Sequence, residues 1–209
     1  MKKTFLFANL LILLASCNQG DEKPVSIETT VKKDSALPAT KPQVSHYTIP
    51  DLSPMDMIYY PADYPLKKMS GNIISAPLAR IIYSRPQTQR RKIFGELVKY
   101  NQPWRLGANE STEIEFFSPA TIQNKTIKPG RYILYCIPQE TKWTIVLNSN
   151  IYSWGLKQDS TKDLLQFDCP LEKNNTIIEY FTMSFEGEGK NALLLILWDN
   201  VKTNLVIKF

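Results

Sequence analysis

The stretch Trp104-Arg105-Leu106-Gly107-Ala108-Asn109-Glu110 gathers side chains suited to reversible recognition. A Trp offers a flat apolar face, an Arg a rigid fork of donors, and an Asn an amide that both donates and accepts. Gly107 and Ala108 carry little bulk, so a ligand or a neighbouring backbone can approach closely. Arg85 and Arg91 add anion affinity if they converge on the same place. The candidate ligand-binding residues are therefore Trp104, Arg105, Asn109, Glu110, Arg85 and Arg91, and the mixture suits a glycan or a peptide. A structural reading uses the same residues: Trp104 plugs the end of a sheet sandwich, Arg105 ties down carbonyls and Asn109 caps a turn. Trp154-Gly155 reads similarly, as an aromatic at a bulge or turn.

Carboxylate chemistry has Glu110, Glu113 and Glu115 as its nearest candidates. On a strand, Glu113 and Glu115 share one outward face about 7 Å apart, a spacing that any solvated strand face also produces. The single histidine, His46, falls in a polar, proline-bearing segment. Without a histidine in the folded part, Ser-His-Asp, Cys-His and His-based zinc or copper devices are excluded. No glycine-rich loop precedes a helix and no carboxylate cluster resembles a calcium loop. No catalytic residue, metal or cofactor is assigned. A binding or interaction module is the expected function, with a carboxylate-based hydrolase of envelope or external polysaccharide and a structural envelope component as alternatives.

Cys17 has a different chemistry. Lys2 and Lys3 precede an apolar stretch from Phe5 to Leu14, followed by Ala15 and Ser16. The stretch is shorter than the ~20 residues that span a bilayer, so it reads as an export signal. Small residues immediately before a Cys resemble a bacterial lipobox. That resemblance implies diacylglycerol transfer to the Cys17 sulfur, cleavage before Cys17 and acylation of the new amino terminus. Buried acyl chains contribute about 0.8 kcal/mol per CH₂, so several chains anchor durably. No Asp follows Cys17 directly, which points to an outer-membrane anchor facing the periplasm or the cell surface; Asp21-Glu22 resembles a surface-export tag. Residues 1–16 are expected to be a lipoprotein signal peptide, 17–50 a lipidated flexible linker carrying Pro24, Pro38, Pro42 and Pro50, and 51–209 one folded domain.

The elements that must position these groups follow a period of two. Leu78 to Tyr83, Glu113 to Phe117, Tyr132 to Ile137, Trp143 to Leu147, Leu164 to Cys169, Ile177 to Phe185, Ala192 to Trp198 and Leu205 to Phe209 read as strands. Thr121-Ile122 and Thr126-Ile127 flank a hairpin-like turn, and Met55 to Tyr60 an edge strand or extended segment. About nine strands at near-regular spacing predict an all-β, antiparallel, Greek-key-like sandwich. Lys92 to Val98 is the best helical candidate. Lys128-Pro129-Gly130 turns the chain sharply into Tyr132, whose hydroxyl is expected to fold back on the preceding backbone. Cys136 and Cys169, each on an apolar strand face, are expected to be buried unpaired thiols, with a disulfide as the alternative if the strands bring their Cα atoms within about 7 Å. The net charge of +5, or +3 without Lys2 and Lys3, is too small and dispersed for a nucleic-acid footprint.

Tyr83-Ser84-Arg85-Pro86, Arg91-Lys92-Ile93-Phe94-Gly95, Trp104-Arg105-Leu106-Gly107-Ala108-Asn109-Glu110, Pro129-Gly130-Arg131-Tyr132, Trp143-Thr144 and Trp154-Gly155 occur in the order of a bacterial exported family. The chain resembles that family, domain of unknown function 2911, over about residues 52–209. The resemblance implies an exported, often lipidated, β-rich domain, and carries over no catalytic residue. Arg90 stands where the family usually has a turn glycine, and Lys99 and Asn101 replace a proline and a glycine around Tyr100.

Overall fold

The structure is a computed structural model that describes residues 51–73 and 75–209. Cys17, the expected signal segment and linker, and His46 lie outside the described residues. Within them, ten strands form two antiparallel sheets. The six-stranded sheet runs β1 (Met55–Tyr60), β2 (Ala79–Ser84), β3 (Thr112–Phe116), β6 (Gly130–Pro138), β7 (Lys142–Asn148) and β8 (Asp163–Pro170) in spatial order. The four-stranded sheet runs β5 (Lys125–Ile127), β4 (Ala120–Ile122), β10 (Asn191–Lys208) and β9 (Glu172–Glu188). After β3 the chain crosses to the second sheet for the β4–β5 hairpin, then returns as β6 beside β3. The fold is an all-β antiparallel sandwich.

Alternation sets which side chains meet. Ile114 and Phe116 are buried while Glu113 and Glu115 point outward from the same strand. Opposite Ile81, Tyr83, Leu134, Cys136, Trp143 and Ile145 stand Phe181, Met183, Phe185, Leu194, Ile196 and Trp198 in one continuous core. Burial of each such side chain stabilises by about 1.5–3 kcal/mol. Gln123 and Asn124 hold φ of 44° and 63°, the paired left-handed geometry of a two-residue hairpin turn. Tyr132 folds back as expected, its hydroxyl donating to the Lys128 carbonyl at 2.8 Å. Cys136 and Cys169 are buried and unpaired; burial pushes the Cys169 thiol up to about 12 and the Cys136 thiol well above its usual range.

Three expectations are corrected. Lys92 to Val98 is a tight turn, not a helix: Gly95 sits at φ 90°, and Ile93, Phe94 and Val98 all turn into the core. Among the described residues the α-helix is α1, Tyr64–Met69, in a stretch to which the period of two assigns no element. Pro65 falls in its first turn, where a backbone N–H has no helical partner to lose. Ala192–Trp198 and Leu205–Phe209 are not separate strands. β10 runs through both, with register shifts around Asp199, which holds φ 54°.

Candidate functional site

Trp104 extends the six-stranded sheet beyond the end of β3. Its N–H donates to the Cys136 carbonyl at 2.7 Å, and the Cys136 N–H donates back at 2.9 Å. This pairing aims the indole to the side that Cys136 faces, the core. There it stacks on Trp198 at 5.6 Å and 18°, and meets Trp143 and Phe181 edge-on at 5.7 and 5.1 Å. Its Nε1 donates to the Gly107 carbonyl at 3.1 Å. Trp104 is therefore a plug at one end of the sandwich, and its half-buried surface also lines a cleft of about 330 Å³.

Arg105, next in sequence, has a different setting. Arg91, Arg105, Trp104, Trp198, Gly155 and Leu156 are among the residues that line the cleft, and no carboxylate is among them. Among the described residues Arg105 makes no ion pair and no side-chain hydrogen bond, and its buried Nη1 has no partner. Burial lowers its pKa, with no neighbouring carboxylate to oppose the shift. Ser111 Oγ, also buried and without a partner, lies close by. Gly155, at φ 84°, covers both: a Cβ there would stand 2.5 Å from Ser111 Oγ and 3.0 Å from Arg105 Cβ. The remaining buried atom of this kind among the described residues, Trp143 Nε1, belongs to the core.

The other sequence candidates divide. Arg91 reaches the cleft while donating through Nε to the Thr88 carbonyl at 3.0 Å and through Nη2 to the Gln87 carbonyl at 2.6 Å. The turn it braces is held by Glu179, which accepts from Thr88 Oγ1 and, at 2.9 Å, from the Gln89 N–H. Those hydrogen bonds hold the Glu179 carboxyl below its usual range. Arg85 is a staple between the sheets, donating to Asp56 at 3.3 Å, to the Phe181 carbonyl at 3.3 Å and to Thr182 Oγ1 at 3.1 Å. Asn109, at φ 58°, donates to Asp51 at 2.8 Å and the Ser53 carbonyl at 3.3 Å, so it ties down the incoming chain. Glu110 is exposed and lines a separate depression with Glu113, Tyr152 and Trp154. Trp104, Arg91 and Arg105 thus come together; Arg85, Asn109 and Glu110 do not join them.

Glu113 and Glu115 are both paired across strands. Glu113 accepts from Arg131, whose pKa rises in consequence, and Glu115 accepts from Arg80 at 2.5 Å. Trp198, Ser111, Tyr152 and Leu156 were not singled out from the sequence. The signal that could have found the last two is the alternation Tyr152-Trp154-Leu156 in a segment too rich in turn residues for a strand.

The model of a family described as a protein of unknown function, DUF2911, matches residues 65–207. The chain belongs to this family. In this DUF2911 domain Arg90 and Asn101, which take the place of expected glycines, hold φ of 60° and 58°. Both backbones are left-handed, the geometry a glycine adopts most easily, so neither side chain prevents the turn at its position. No curated protein and no solved structure matches the chain.

Proposed function

We propose that this protein is an outer-membrane, lipid-anchored binding module. In this reading Cys17 carries the lipid, residues 17–50 form the leash, and the cleft beside Trp104 takes a glycan bearing a carboxylate. The observation that carries the ligand class is Arg105. A guanidinium loses hydration on burial, and without an anion no partner among the described residues returns that free energy. A carboxylate bound in the cleft brings a counter-charge to the Arg105 guanidinium, and Arg91 adds a second positive charge at the same cleft. The half-buried indole of Trp104 offers the flat apolar surface on which the C–H face of a sugar ring packs. The hydrolase alternative draws no support from Glu113 and Glu115, since an arginine engages each.

The test titrates the full-length chain in detergent with hyaluronan and polygalacturonate hexasaccharides, and with neutral chitohexaose as comparison. The reading expects binding of at least one acidic hexasaccharide, at least tenfold tighter than the neutral one, and lost in Arg105→Met. Equal affinity for the neutral chain, or unchanged binding by Arg105→Met, overturns it. The anchor has its own test: Cys17→Ser should abolish incorporation of labelled palmitate and leave the unprocessed, slower-migrating precursor, and a variant that is still labelled and processed overturns the anchor.

A further inference from the structure

Beyond the arginine cleft, the loop that roofs Arg105 carries a second set of features. Tyr152, Trp154 and Leu156 alternate along it and are 89%, 56% and 74% exposed. None of the three belongs to the hydrophobic core, so packing does not account for them. Tyr152 and Trp154 border a depression of about 300 Å³ that Ser111, Glu110 and Glu113 also line. One loop therefore walls both concavities: Tyr152 and Trp154 face one, Gly155 and Leu156 the other. Ser111 belongs to this depression and also lies directly beneath Gly155, beside the stem of Arg105.

The two concavities have opposite electrostatic character. Arginines line the first; carboxylates line the second, where Arg131 engages Glu113 and Glu110 forms no ion pair among the described residues. The unpaired Glu110 carboxylate, when ionised, only accepts hydrogen bonds, so it matches the hydroxyl and amide donors of a neutral ring and repels a second carboxylate. Two exposed aromatic rings beside it supply the stacking surface.

We infer that the Tyr152–Trp154 depression is a second saccharide subsite, adjoining the arginine cleft, that takes a neutral ring of the same glycan. The ligand it defines alternates an acidic ring with a neutral one. This inference rests on the acidic-glycan reading of Arg105, and the experiment separates the two. Full-length protein in detergent is titrated with a hyaluronan hexasaccharide, in which uronic acid and neutral N-acetyl sugar alternate, and with a polygalacturonate hexasaccharide, in which every ring is acidic. The alternating chain is expected to bind at least tenfold tighter. The double variant Tyr152→Ala/Trp154→Ala should lose at least tenfold affinity for the alternating chain and keep its affinity for the all-acidic one. Both side chains are largely exposed, and near-UV circular dichroism checks that the fold is intact. If the double variant binds the alternating chain as the unaltered protein does while Arg105→Met does not, the second subsite is wrong and the first stands. If the all-acidic chain binds as tightly as the alternating one, the neutral subsite is likewise wrong. If neither hexasaccharide binds, both readings fall.

Discussion

Arg131 and Arg105 are both arginines beside the six-stranded sheet, and they live in opposite circumstances. Arg131 stands on the open face of β6 with Glu113 in its fork, next to the Arg80–Glu115 pair, and water screens all four charges. Arg105 is partly buried beneath Gly155, with no carboxylate paired to it among the described residues. Exposed pairs such as the first contribute about 0–1 kcal/mol, so they neither build nor endanger the fold. An uncompensated buried charge costs more than that. The contrast teaches where to look for function: folding alone favours satisfied groups, and a place where stability has been left unoptimised marks a demand of another kind.

The largest expected effect sharpens the contrast by assigning Trp104 to the structural side. Trp104→Ala removes the ring stacked on Trp198 and should destabilise by about 3 kcal/mol, read as a fall in the urea midpoint at constant slope. Gly155→Ala attacks the roof over Arg105. The new methyl meets Ser111 Oγ and the Arg105 stem in a left-handed backbone, at a cost of about 2 kcal/mol by the same denaturation assay.

Tyr83 supplies a third setting, a buried group that is neutral and fully bonded. Its hydroxyl donates to the Met183 carbonyl at 3.1 Å and accepts from the Met183 N–H at 2.9 Å. Burial pushes its pKa up from 10.0 to about 12. Between those values the unfolded chain releases the phenolic proton and the folded chain keeps it. Stability associated with Tyr83 is therefore complete below pH 10 and is lost as the pH rises towards 12. In Tyr83→Phe, urea midpoints measured across that window should fall less steeply than in the unaltered protein. The smallest effect belongs to the screened face: Arg131→Met should shift stability by less than about 1 kcal/mol, and by still less in high salt. A larger loss there would erase the distinction drawn between the two arginines.

The features legible in the sequence are those whose causes are local. Alternation at Glu113 to Phe116 marks a half-buried strand, and the Pro129-Gly130 turn places Tyr132 two residues later, where its hydroxyl finds Lys128. Features that depend on partners distant in the chain were not legible. Trp104 faces the core because it pairs with Cys136, over thirty residues away, and no local pattern announces that pairing. Glu113 and Glu115 are tied up by arginines on neighbouring strands, so the acidic spacing alone said nothing of their availability. Pro65 looks like a breaker until its place in the first turn of α1 is known, and the irregularity at Asp199 looks like the end of a strand. The roof over Arg105 belongs to the same class, since Gly155 and Arg105 meet only in three dimensions.

The central claim, that Arg105 is kept for a ligand and not for the fold, meets its most direct test in Arg105→Met. Stability and hexasaccharide affinity are measured on the same preparation. The account predicts a protein at least as stable as the unaltered one, by up to about 1 kcal/mol, that has lost its affinity for uronic-acid oligosaccharides. A variant that is destabilised by 2 kcal/mol or more, or that still binds them, contradicts it.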